Sequence, residues 1–273
     1  MARQDTNRIA LKIERDTASN YPQSLNKREK KLAEAILYDG NVDDSFQQAL
    51  VASNTTQTGI AYTGAAAQVV GLNSGIAQYE VYQAAVATAA IVLPFQSSDG
   101  LELKPVAAAD ALELTLGTTS LSRAALTVGS FKSPRAFMQI KMKIDDISDV
   151  TEMFIGFRKA EAYQADPDDY DEMAAIHLGA TDDGRISLAT ILNNAATSMT
   201  DTTLTDWADT NEKTLRIEVS NDGKCLFFVD AATPTVTAPF TFDSGEVIVP
   251  FIHLNTETGD PGCSISQLQV GYI

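Results

Sequence analysis

The chain has 273 residues and a formal net charge of −16, from 20 Lys and Arg against 36 Asp and Glu, with two His, two Cys and one Trp. A body of this size buries about three-quarters of its unfolded surface, so it can fold without a disulfide framework or a structural metal. The acidic balance excludes sequence-independent binding of nucleic acid through the body, and two His leave little room for a His-rich metal centre.

The length corresponds to two domains, or to one large β domain with an appendage. No run approaches the roughly 18 uninterrupted apolar residues of a membrane helix, and residues 1–8 lack the apolar core of a secretory signal. The expectation is synthesis in a cytoplasm, with no membrane partner. Charge is split along the chain: residues 1–37 carry eight Lys and Arg against five Asp and Glu, net +3, and the remainder is −19. A mildly basic end on an acidic body reads as an arm with a task of its own.

Residues 1–24 are polar and aperiodic, with Ser19-Asn20-Tyr21-Pro22 opposing a helix, and read as an extended arm. A short helix is expected near 25–38, where Leu25, Arg28, Glu29, Leu32, Ala33, Ile36 and Leu37 recur at helical spacing after Ser24 or Asn26 as cap. Asp39-Gly40 ends it. From 41 to 78 the chain is rich in small and polar residues, which fits either a packed connector or a linker. The division expected is therefore an arm and connector over 1–78 and a β-sandwich over 79–273. The segment 79–93 fits helix or strand.

Beyond it, short apolar runs alternate with turn signals. The runs are 101–106, 111–116, 123–128, 135–145, 152–158, 173–178, 185–192, 214–220, 225–229, 236–242, 246–254 and 263–272. Asp99-Gly100, Asp183-Gly184, Asn221-Asp222-Gly223, Ser244-Gly245 and Gly259-Asp260-Pro261-Gly262 punctuate them. Ala136, Met138, Ile140, Met142 and Ile144 fall on one side of a strand, with Gln139, Lys141, Lys143 and Asp145 on the other. Leu215, Ile217 and Val219 oppose Arg216, Glu218 and Ser220 in the same way. Many short strands with little helical period predict an all-β sandwich of jelly-roll type.

Candidate chemistry is sparse. His177 and His253 each sit within a strand, with no Gly-x-Ser-x-Gly elbow nearby, and read as structural. A retaining glycosidase needs two carboxyls about 5–5.5 Å apart. The Glu-x-Asp-x-x-Glu alternation that supplies them is missing; Glu102 and Glu113 instead alternate with strand apolars. The chain is expected not to be an enzyme and to need no cofactor. Asp166, Asp168, Asp169, Asp171 and Glu172 are dense enough to offer oxygens to Ca²⁺, but lack the EF-hand glycine and distal Glu; a solvated acidic loop is the other reading. Cys225 and Cys263 read as free buried thiols. Trp207 fits a sugar-stacking platform or, better, a cap on one end of the core. In the arm, Arg3, Arg8, Lys12, Arg15, Tyr21, Lys27, Arg28, Lys30 and Lys31 are the candidate partner-binding residues. Five interleaved acids favour a protein partner over nucleic acid.

The run from Thr214-Leu215-Arg216-Ile217-Glu218-Val219 through Asn221-Asp222-Gly223 to Phe227-Phe228-Val229-Asp230 resembles the hairpin of concanavalin-like and laminin-G-like sandwiches. So do Pro239-Phe240-Thr241-Phe242 with Val249-Pro250-Phe251-Ile252. Upstream, Met138 to Asp146 and Phe154-Ile155-Gly156-Phe157-Arg158 resemble paired strands of the same sheets. The resemblance spans about 95–273 and concerns a fold rather than an activity. It implies a concanavalin-like jelly-roll sandwich with an extended, partly helical N-terminal arm. The metal-and-sugar constellation of legume lectins is not found. Sandwich plus long polar arm together resemble the capsid decoration (cement) proteins and other virion structural proteins of tailed bacteriophages. That resemblance implies a symmetric oligomer, with a homotrimer favoured, on the outside of a capsid and seated on the major capsid protein. The alternative is a carbohydrate-binding or host-adhesion module of a tail, spike or fibre.

Overall fold

The computed structural model describes residues 42–45, 68–73, 78–84, 94–103, 111–116, 125–131, 133–179, 184–256 and 261–273. They form two antiparallel sheets stacked face to face. One has seven strands, in the order β14 (Cys225–Val229), β13 (Glu212–Ser220), β8 (Arg135–Ile144), β16 (Cys263–Tyr272), β5 (Leu101–Leu103) and β4 (Phe95–Gln96). The short β1 (Val42–Ser45) also pairs with β16, further along the strand than β5. The other sheet has nine strands. Its order is β12 (Ser198–Asp201), β11 (Ile186–Ile191), β10 (Met173–Gly179), β9 (Val150–Lys159), β15 (Val247–Thr256), β6 (Ala111–Thr115), β3 (Gln78–Ala84) and β2 (Gln68–Asn73). β7 (Leu126–Thr127) pairs with the start of β15. The chain is an all-β jelly-roll sandwich, as its strand pattern predicts.

β8 shows the sequence logic most plainly. Ala136, Met138, Ile140, Met142 and Ile144 are all within 2% of complete burial and join the core, while Gln139, Lys141 and Lys143 are half-buried on the outer side. Leu215, Ile217 and Val219 of β13 enter the same core. Facing them from the nine-stranded sheet are Leu112, Leu114, Met153, Ile155, Phe157, Ile176, Leu188, Ile252 and Leu254. Each such side chain removed from water stabilises the fold by about 1.5–3 kcal/mol before entropy is counted. On the outer side of the seven-stranded sheet, Lys141 pairs with Glu212, Lys143 with Asp99 and Asp145, and Arg135 and Arg216 with Glu218. On the same side Phe137 lies under the Arg216 guanidinium at 4.0 Å.

The turns behave as their residues require. Asn221-Asp222-Gly223 closes the β13–β14 hairpin, and Gly223 has φ +85°. A Cβ there would stand 2.2 Å from the Phe242 carbonyl oxygen, so both dihedral and space demand glycine. Segment 236–242, expected as a strand, is corrected to an irregular run with an isolated bridge, Lys224–Thr241, just before β14. Pro239 removes a ladder donor. The run still shields the β14 edge, because Cys225 donates to the Phe240 carbonyl and Phe242 to that of Gly223. β12 has no apolar alternation and was not anticipated. The part of 79–93 that is described is strand β3, and the expected helix near 25–38 lies outside the described residues. β1 and β2 fall within the 1–78 stretch read as arm and connector, and both are paired into the sheets.

Gly156, in the middle of β9, is a close-approach position. A Cβ there would sit 2.2 Å from the Ala174 carbonyl oxygen and 2.9 Å from Ile217 Cδ1, which reaches across from the opposite sheet. Gly156→Ala is therefore expected to lose about 1–3 kcal/mol in a denaturant titration, because backbone as well as side chain must move. An unchanged midpoint would show that β10 yields freely.

Candidate functional site

The two sheets differ on their outer faces. β8 alternates between buried and half-buried positions, whereas every residue of β10 and β11 is buried. Something therefore covers the outer face of the nine-stranded sheet. At one end the cover is residues 160–172, a strap that leaves β9 and returns into β10. Its base is closed by Lys159 N–H donating to the Glu172 carbonyl and Ala160 N–H to that of Val247.

Cross-strand register aligns the covered residues in rows. One row runs Tyr82, Glu113, His253, Phe154, His177, Ser187, Asp201. Arg158 lies two residues along β9 from Gly156, on the same face as Phe154. Its guanidinium passes within 5.9 Å of the Phe251 ring centre and reaches Glu113 on β6. Nη2 donates to Glu113 Oε1 at 2.7 Å, and Nε to the same oxygen at 3.2 Å. Tyr170 of the strap donates its hydroxyl to Glu113 Oε2 at 2.7 Å, and its ring stacks beneath the guanidinium at 4.4 Å. Arg158 Nη1 donates to the Lys159 carbonyl, and the Gln164 N–H to the Tyr170 hydroxyl. Arg158, Glu113 and Tyr170 are all completely buried.

Burial pushes the Glu113 carboxyl above its ordinary range, against the pull of Arg158 and of the Tyr170 hydroxyl. Burial likewise raises the Tyr170 and Tyr163 hydroxyls, with the Glu113 charge adding to it. The Tyr163 ring stacks on Tyr82 of β3 at 4.9 Å, while Tyr82 donates to Glu80 at 2.9 Å. The strap is thus held by an ion pair, a phenol and an aromatic stack. The Glu113 carboxylate beneath it is engaged in these bonds.

His253 occupies the middle of this face. It is completely buried, and neither ring nitrogen has a hydrogen-bond partner among the described residues. Burial, reinforced by Arg158, pushes it down to about 3. His177 lies beyond Phe154, with ring centres 4.8 Å apart, and its Nε2 is 3.7 Å from Glu152 Oε1. The two histidines are separated by Phe154 and share no carboxylate. The structural role expected for them is what this arrangement supports.

The acidic cluster does not converge. Asp166 caps the 3₁₀ turn Pro167–Asp169 by accepting from Asp168 N–H. Asp168 accepts from Thr197 at 2.6 Å, and Asp171 from Lys159 Nζ at 2.5 Å. Glu172 points the other way: it is buried, and it accepts from the Asp243 N–H at 3.4 Å. Among the described residues no group of three His, Cys, Asp or Glu side chains comes together as a metal ion requires. Cys225 and Cys263 are free and buried, and burial raises the Cys225 thiol. Trp207 is only 2% exposed and donates its indole N–H to the Asn211 carbonyl at 2.8 Å, so it closes the core and offers no stacking platform. The arm residues Arg3, Arg8, Lys12, Arg15, Tyr21, Lys27, Arg28, Lys30 and Lys31 lie outside the described residues.

Sequence reasoning noticed Glu113 and Arg158 only as members of strands. The signal for the covered face was present in Met153–Phe157, which has no polar residue, and in Ala174–Leu178, which has only His177; both are too apolar for strands wetted on one side.

No family model matches the chain, and none of the curated proteins does. Solved structures do share the fold. A point mutant of the Emp46p carbohydrate recognition domain is similar at 10% identity and TM-score 0.50, over 71% of this chain and 89% of its own. A legume lectin-like domain from Entamoeba histolytica is similar at 11% identity and TM-score 0.47, over 71% and 90%. An alginate lyase from Pseudomonas aeruginosa is similar at 15% identity and TM-score 0.45, over 67% and 87%. Likeness at such identity shows the fold alone and not an activity.

Proposed function

We propose that this chain is a non-enzymatic structural protein of a virion. In this reading it is a decoration protein that binds the outside of a tailed-phage capsid through its N-terminal arm and stabilises the shell. It acts as a homo-oligomer, favoured as a trimer, on the major capsid protein. The non-catalytic part of the reading is supported by one observation: the carboxylate buried on the outer face, Glu113, is bonded to both Arg158 and Tyr170 beneath the strap. Both of its oxygens are engaged in these bonds, so it is not held free to exchange a proton with a substrate. The capsid part rests on the resemblance of a polar arm joined to this sandwich, and on the charge split between residues 1–37 and the rest.

An arm without a core of its own orders on its partner, and several arms in one oligomer act multivalently. Deleting residues 1–40 is expected to leave a folded β body that no longer attaches to capsids in a co-sedimentation assay. A truncated protein that still saturates particles overturns the proposal. The Tyr82–Tyr163 stack favours a second reading, a carbohydrate-binding or host-adhesion module, because a sugar ring packs on an aromatic face. Glycan-array binding that Tyr163→Ala abolishes, without loss of folding, would select that reading.

A further inference from the structure

His253, whose ring nitrogens have no hydrogen-bond partner among the described residues, stands in cross-strand register with Glu113, the carboxylate that anchors the strap. His253 of β15 and Glu113 of β6 are register partners on adjacent strands, on the covered face. Cross-strand partners have their Cβ atoms about 4.5–5.5 Å apart, within side-chain reach. Both oxygens of Glu113 are already engaged, Oε1 by Arg158 and Oε2 by Tyr170. A protonated imidazole presents two N–H donors, and it carries a charge that a dry site tolerates only beside an anion.

We propose that His253 is an acid-sensitive latch on the 160–172 strap: as a neutral ring it leaves Glu113 to Arg158 and Tyr170, and once protonated it draws Glu113 away and releases the strap. The titratable and charged groups on the elements around it are consistent with this exchange. On β6 this is Glu113; on β9, Arg158 and Glu152; on β10, His177; on β3, Tyr82 and Glu80; on the strap, Tyr163, Tyr170 and Glu161. Arg158 repels the new charge, and Glu152 is already beside His177. Glu113 is the carboxylate in direct register, and a charged imidazole that draws on it competes with Arg158 and Tyr170 for the same anion. Loss of the Tyr170 bond also frees the Gln164 N–H that leans on the same hydroxyl.

The direction with pH follows from linkage. In the closed form the buried ring resists the proton, and in the opened, wetted form it takes it near the ordinary histidine value of about 6.5. The opened form therefore gains up to about tenfold in population for each pH unit below that value, and nothing above it.

The test is hydrogen exchange of the full chain between pH 7 and 4.5, corrected for intrinsic exchange rates. The expected result is a fall in protection of the strap amides, Gln164 and Asp171 among them, by up to tenfold per unit, with β8 and β13 unchanged. His253→Phe and His253→Gln are expected to abolish the slope, and His177→Gln to retain it. A strap with no slope in the unmodified chain overturns the proposal. So does a slope that survives in either His253 variant, or that His177→Gln removes. Parallel loss of protection in β8 and β13 overturns it too, because proton uptake would then accompany global unfolding. Should one His253 variant fail to fold, the other decides, and the confinement of the slope to the strap in the unmodified chain is decisive by itself.

Discussion

Arg158→Met is expected to destabilise the folded chain by about 3–5 kcal/mol, as removal of one partner from a buried ion pair does. The reason is what it leaves behind. Glu113 is completely buried, and without the guanidinium its charge faces only the Tyr170 hydroxyl. Part of the cost is relieved by protonating Glu113, so the variant should recover stability as pH falls toward the carboxylate range. The sign is clear: a carboxyl whose folded pKa lies above its unfolded value loses stability as pH rises through that interval. Replacing both partners, as Glu113→Leu with Arg158→Met, removes the buried charges together and is expected to be close to neutral. Urea titrations of the two single variants and the double one give the coupling directly. A double variant that loses the sum of the two single losses would show that the pair contributes little beyond packing.

Trp207→Ala carries the second large effect, a loss of about 3–5 kcal/mol from the cavity left by the ring. The side chain is 2% exposed, its indole N–H is bonded to Asn211, and its backbone N–H is bonded to the Gly184 carbonyl at 2.7 Å. Trp207→Phe keeps most of the volume and gives up the hydrogen bond, so it should lose less. Thermal melts of both variants check this. A full-strength fold in Trp207→Ala with a lost glycan signal would instead restore the indole as a binding platform.

The strands of the seven-stranded sheet were legible because one of its faces is wet. Met138, Ile140 and Met142 alternate with Gln139, Lys141 and Lys143, and a period of two can have no other cause in a half-buried sheet. In the nine-stranded sheet, β6, β9, β10, β11 and β15 were legible as strands but not as a site, and β2 and β12 were not anticipated. Glu113 sits between Leu112 and Leu114, a spacing that ordinarily turns a carboxylate toward water. It is buried because the strap, from a different part of the chain, lies over it. Arg158 and Glu113 are 45 residues apart and come from β9 and β6, which flank β15 on either side. No local pattern relates them. Segment 236–242 misled for a related reason: its apolar residues, Phe240 and Phe242, pack their rings edge to face at 4.9 Å beside β14 without a ladder.

By itself the sequence determined the all-β class, the core side of β8 and β13, the glycine turn at Gly223 and the division of charge between residues 1–37 and the rest. These are local properties, set by side-chain alternation, backbone freedom and composition. Tertiary structure alone decided which sheet is covered on its outer face, that Glu113 is neutralised by Arg158 and Tyr170, and that His253 lies opposite them without a partner. Those facts depend on which strands become neighbours. In an antiparallel sandwich neighbours are chosen by long-range pairing, and alternation along one strand says which side a residue faces but not what lies above it.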